Sequence, residues 1–223
     1  VVIRILMLNG NRAYLGGAFS FNDSSTIDLN NGNINLNNAE DGGGIWASEI
    51  SGRIGAVSFQ NNTAEDLGGA MHLSSNSDLE ATDMVVINNS ANRGGGISVL
   101  NSVADFVGGE INNNYAWRGG GIFSNGSDLD FFSITLTQNN SEDIGGGLLS
   151  ISTNLVMDST NVTFNSSDSS SGGGIMCINY DSTATYEVVI TNSLISRNNA
   201  NNSGAGLYFR TAFDDSSGMD ILI

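Results

Sequence analysis

Few side chains in this sequence could carry out chemistry. His72 is the only histidine, Cys177 the only cysteine, and lysine is absent; seven arginines face 23 acidic residues, leaving a net charge of −16. A histidine acts as a general base only when a nucleophile or substrate is held beside it. One cysteine cannot close an internal disulfide, so its thiol is either buried or available for an intermolecular bridge. Acidic pairs recur at Glu40-Asp41, Glu65-Asp66 and Glu142-Asp143. Such oxygen donors bind Ca²⁺ when several converge. Arg93 and Arg118 stand at the matching places of intervening segments, so the pairs read first as a solvated ridge of Arg/Asp ion pairs, with Ca²⁺ as the alternative. Eight N-x-[ST] sequons, at Asn22, Asn61, Asn88, Asn125, Asn139, Asn161, Asn165 and Asn201, are potential N-glycan acceptors.

These residues argue against several classes of function. Nucleic-acid binding needs a basic footprint to meet phosphates, and the charge balance here is strongly acidic. A polysaccharide lyase needs a basic group to take a proton, and a hydrolase needs convergent carboxylates. With no lysine and one histidine, such an enzyme is the least favoured reading; no catalytic residue, cofactor or metal is assigned. The opening run Val1–Leu8 is too short to span a membrane and lacks a cleavage pattern.

What positions these groups is a repeat. Proline is absent, glycine reaches 29 residues, and apolar residues make up 39% of the chain, enough to bury a core. Glycine clusters end at Gly17, Gly44, Gly69, Gly96, Gly121, Gly147, Gly174 and Gly206, a period near 26 residues. Before each cluster stands an asparagine, two residues ahead of an alanine or serine: Asn11, Asn37, Asn62, Asn89, Asn114, Asn139, Asn165 and Asn198. Three residues before each asparagine is a hydrophobic one, from Leu8 to Ile195. A third column follows the glycines at Ala18, Ile45, Ala70, Ile97, Ile122, Leu148, Ile175 and Leu207.

No 3.6-residue period runs between these columns, whereas short β-rich runs separated by Gly/Asn/Ser/Asp turns do. The pattern predicts an all-β chain. Its fold is expected to be a right-handed parallel β-helix of about eight coils of roughly 26 residues, one domain over 1–223, with no cap at either end. The asparagines are expected to stack as an internal ladder.

Phe59-Gln60-Asn61-Asn62 followed by Gly68-Gly69-Ala70-Met71 resembles the F-x-x-N and G-G-A-[ILV] repeats of polymorphic outer membrane proteins; Gly16-Gly17-Ala18-Phe19 is a near match. Elsewhere aliphatics replace Phe, and Ile or Leu replaces Ala, as in Gly43-Gly44-Ile45. The resemblance implies a surface-exposed β-helical protein of structural or adhesive role. The sequence departs from that family in showing no C-terminal translocator barrel, so bacterial autotransport is not the expectation.

Coil phase refines the site expectations. Asn139 and Asn165 are ladder residues and should be buried, so glycans are expected at Asn22, Asn61, Asn88, Asn125 and Asn201. His72, two residues after Ala70, is expected to be packed inward in a column with Ala47, Val99, Ser124, Ser150 and Cys177. Strand alternation points the residue after the inward column outward. Phe19, Trp46, Met71, Ser98, Phe123, Leu149, Met176 and Tyr208 would then form an apolar stripe, a lateral interface or glycan-stacking surface. The expected function is an extracellular or cell-surface structural module, either part of a longer chain or stacked end to end with copies of itself into a filament; the alternative is an adhesin or carbohydrate-binding module.

Overall fold

The computed structural model describes residues 1–181, 183–211 and 219–223. They form a right-handed parallel β-helix, all-β, with no helix among the described residues. Three parallel sheets run its length. The first contains the long strands Thr26–Asn35, Asp78–Ile87 and Val103–Asn112; the second contains Asn38–Asp41, Ser90–Arg93 and Tyr115–Arg118; the third contains Ile45–Ser48, Ile97–Leu100 and Ile122–Asn125. The third sheet has eight strands, so there are eight rungs and about seven full turns between first and last.

The corners explain the composition. In the coil centred on residue 106, the chain bends at Asn101 (φ 48°), Gly108 (φ 66°), Asn113 (φ 54°) and Gly119 (φ 64°), each in the left-handed region. The coil before it bends at Ser75 and Asn76, Asp83, Asn88 and Gly94 in the same way. A single left-handed residue turns an extended strand sharply without interrupting the inter-coil hydrogen bonds. Glycine takes that conformation without strain and Asn or Asp at small cost. Four such corners per coil therefore call for the Asn, Gly, Asp and Ser that dominate the chain. Leu36 (φ 57°) and Phe164 (φ 58°) occupy the corner before the ladder asparagine in their coils, and both side chains are exposed there.

Inside the coils lies one continuous core. Ile34, Phe59, Val86, Ile111, Leu136 and Val162 stack in one buried column, and Phe106 and Phe131 lie ring on ring at 5.1 Å between centroids. A second, smaller core sits outside the third sheet. Phe123, Leu149 and Met176 are buried there beneath Leu67, Ile144, Leu100, Ile151 and Ile178.

Candidate functional site

The ladder is built coil by coil. The left-handed corner residue turns the following asparagine inward, and Asn37, Asn62, Asn89, Asn114, Asn139 and Asn165 are all at most 1% exposed. Each Oδ1 from Asn37 to Asn198 accepts two hydrogen bonds from the preceding coil's asparagine, one from its backbone N–H and one from its Nδ2. Each Nδ2 from Asn37 onward also donates to the carbonyl of the hydrophobic residue one coil back. Asn114 donates to Val86 at 2.9 Å, and Asn139 to Ile111 at 2.9 Å. A buried amide with both its ends satisfied costs little, whereas an orphaned one is expensive. The ladder thus ties every coil to its neighbours, and its direction never reverses. Asn11 is exposed and Asn198 half-buried at the two ends.

A second polar ladder lies at the corner between the third and first sheets. The backbone N–H groups of Ile50, Ser77, Ser102 and Ser127 donate to the hydroxyls of Ser77, Ser102, Ser127 and Thr153 of the next coil, at 3.1–3.3 Å. Hydroxyl residues spaced at 77, 102, 127 and 153 are its sequence signal, obscured by the abundance of serine.

The predicted apolar stripe is corrected by the register. Phe19 pairs with Ile45 and Met71 with both Ile45 and Ile97, so Phe19 and Met71 belong to the inward column. The outward column holds Ser20, Trp46, His72, Ser98, Phe123, Leu149, Met176 and Tyr208. Alanine is responsible. Ala18 and Ala70 take the place of the third glycine in their coils, Gly44 elsewhere, so aligning the coils on their last glycine shifts these two by one residue. The column does not offer a free surface either, because Phe123, Leu149 and Met176 are at most 4% exposed and Trp46 and Tyr208 are half-buried. Side chains from the end of the second sheet fold over it, with the Arg93 guanidinium 5.8 Å from the Phe123 ring centroid.

His72 is buried, but in this outward column between Trp46 and Ser98 rather than among the inward residues. Burial drives its pKa down to about 4, opposed by Asp66 and reinforced by Arg93. Its Nδ1 and the Ser98 hydroxyl have no hydrogen-bond partner. Cys177 faces the inner core, and burial pushes its thiol up to about 12.

The acidic ridge is brought together only in part. Asp66 pairs with Arg93 at 2.7 Å and Asp143 with Arg118 at 2.8 Å. Glu142 accepts from the Tyr115 hydroxyl. Asp41 accepts the Leu67 N–H at 3.1 Å, and burial holds its carboxyl above the usual range. Glu40 shares a hydrogen bond with Glu65 that raises its pKa. Among the described residues, no three His, Cys, Asp or Glu side chains converge as metal ligands. The five expected glycan acceptors, Asn22, Asn61, Asn88, Asn125 and Asn201, are exposed, as is Asn161; Asn139 and Asn165 are buried in the ladder.

Sequence reasoning missed an exposed apolar group on the outside of the first sheet, Val107, Phe132 and Val156, flanked by Asp105, Asp130 and Asp158. These residues meet only once the coils are in register. No helix among the described residues is long and apolar enough to cross a membrane. No family model, no curated protein and no solved structure matches this chain.

Proposed function

We propose that this chain is an extracellular structural module, a β-helical segment of a filament or surface appendage in which coils continue end to end. The observation that carries the reading is the one-directional ladder. Asn198 keeps its backbone N–H and one Nδ2 hydrogen for a further coil, and Asn11 keeps its Oδ1. These groups are complementary, so another coil on either side, from the same polypeptide or from a second copy, extends the hydrogen-bond run. Stacking open coils in this way is how solenoids propagate, each unit contacting only its neighbours. The six exposed sequons support an extracellular setting, where such asparagines are glycosylated. The repeat elements support a kinship with polymorphic outer membrane protein repeats.

Electron microscopy of the native material tests the proposal. Coils spaced about 4.8 Å apart give eight coils an axial length on the order of 40 Å. Rods or filaments with an axial repeat near that length are expected. Isolated short particles at every concentration, confirmed as monomers by sedimentation, would refute end-to-end continuation.

A further inference from the structure

The outside of the first sheet carries a run of acidic groups, of which Asp158 already accepts from Thr191 Oγ1 and Asn192 Nδ2. In register across successive coils, Glu80 stands beside Asp105, Asp105 beside Asp130, and Asp130 beside Val156. Two residues along the strands, Val107 stands beside Phe132 and Phe132 beside Asp158. Asp78 lies two residues before Glu80 on the same strand, in the adjoining row with Val103 and Asp128. With strands about 4.8 Å apart, the carboxylates form a tight array, bordered on one side by apolar side chains. Phe132 is 51% exposed, Val107 38% and Val156 36%.

One cation adjoins this array at its edge, Arg53 beside Glu80 in register, and none stands beside Asp105 or Asp130. The three ion pairs among the described residues are Arg53–Asp28, Arg93–Asp66 and Arg118–Asp143. Arg53, the cation nearest to Glu80 on this face, is held by both carboxylate oxygens of Asp28 at 3.1 Å. Burial, followed by the charges of Asp130, Asp78 and Glu80, holds the Asp105 carboxyl above the usual carboxylate range. The outward-facing polar side chains of the groove are carboxylates. Ionised, they accept hydrogen bonds and donate none.

We propose that the groove of Asp105, Val107, Asp130, Phe132, Val156 and Asp158 is a docking surface for a basic, partly apolar polypeptide segment. A guanidinium matches both halves. It spans neighbouring carboxylates with planar N–H donors and lies flat on an exposed aromatic ring, here Phe132. Aliphatic side chains between the arginines cover Val107 and Val156. A neutral sugar needs donors as well as acceptors from its site, and these side chains supply acceptors alone. The inference is independent of end-to-end assembly, since the groove lies on the side of the rod.

The test is binding of a labelled peptide of alternating arginine and leucine to the whole chain at low ionic strength, followed by fluorescence anisotropy. Saturable binding that weakens with salt is expected, with no binding of the peptide in which glutamate replaces arginine. Asp105→Asn with Asp130→Asn should weaken binding about tenfold, and Phe132→Ser by severalfold. Both variants alter exposed or half-exposed side chains, and far-ultraviolet circular dichroism verifies their fold. Asp23→Asn with Asp168→Asn removes the same charge elsewhere and should leave binding unchanged. An equal loss in that control would reduce the effect to net charge and overturn the proposal, as would absence of binding to the parent chain. Binding of cellohexaose that is lost in Phe132→Ser but kept in the aspartate double variant would assign the groove to a glycan instead.

Discussion

Replacing Asn114 by alanine isolates the energy of the ladder. Asn114 Oδ1 accepts from the Asn89 backbone N–H at 2.9 Å and from Asn89 Nδ2 at 3.0 Å, while its own Nδ2 donates to Asn139 Oδ1 and Val86 C=O. In the alanine variant Asn89 Nδ2 still reaches the Phe59 and Ile87 carbonyls, and Asn139 Oδ1 still accepts the backbone N–H of residue 114. The Asn89 N–H, however, loses its only acceptor in a fully buried place, a penalty of about 1–3 kcal/mol. Three further lost bonds at about 1 kcal/mol each bring the total to roughly 4–6 kcal/mol. Asn11→Ala removes one side-chain bond at an exposed end and should cost about 1 kcal/mol. Asn92→Ala, exposed and bonded only to Asp66 at 3.2 Å, should cost less still. Asn114→Asp separates the two halves of the amide, since it keeps the acceptor and places a buried charge where the donors were. Its folded-state pKa is raised, so its deficit is full above that pKa and shrinks as pH falls toward the unfolded value near about 3.9. Urea unfolding followed by circular dichroism measures all four variants, with m-values checking that the cooperative unit is unchanged. Equal losses for Asn114→Ala and Asn11→Ala, or a loss below about 1 kcal/mol for the first, would refute the claim that the buried ladder binds the coils together.

Three other outcomes are expected. The depressed pKa of His72 means that protonation favours the unfolded chain, so stability is lost as pH falls from about 6.5 toward 4; by about pH 5 the parent should lose roughly 2 kcal/mol that His72→Leu does not, and parallel slopes for the two proteins would argue against the assignment. Cys177 should resist a thiol-specific chromogenic reagent in the folded protein and react with one equivalent after denaturation; fast labelling of the native chain would contradict its burial. Expressed through a eukaryotic secretory pathway, the chain should carry glycans at exposed sequons such as Asn61 and Asn88, and mass spectrometry should find Asn139 and Asn165 unmodified; occupancy of Asn139 in folded protein is incompatible with its place in the ladder.

The columns of the β-helix were legible because each recurs on eight rungs with the same neighbours. The asparagines that follow Leu8, Ile34 and Phe59 by three residues face inward wherever the coil closes. Two things escaped. The register at Ala18 and Ala70 hid because an alanine doing a glycine's work looks like the first residue of a strand; this moved His72 and Met71 by one place and exchanged their faces. Trp46, Phe123 and Leu149 do point out of the coil, as alternation requires, but outward is not the same as exposed when the second and third sheets meet at a bend and side chains such as Leu67 and Ile144 close over them. The left-handed corners were equally silent. Asn88 and Asn89 are the same letter; the column tells the exposed one from the buried one, but that Asn88 bends the chain at a φ of 58° shows only in the three-dimensional path.

The unvarying direction of the ladder gives the rod an electrical sense. In a parallel sheet the backbone N–H and C=O groups alternate between the two neighbouring strands, so their dipoles largely cancel along the stacking axis. The asparagine side chains do not alternate, since every Oδ1 from Asn37 to Asn198 points back toward the Asn11 end. Eight aligned amides, each comparable to a peptide group of about 3.5 D, therefore add in the way the peptide groups of an α-helix do. The Asn11 end is left partially negative and the Asn198 end partially positive. Two such rods attract head to tail and repel head to head, so any fibre they form has an arrow.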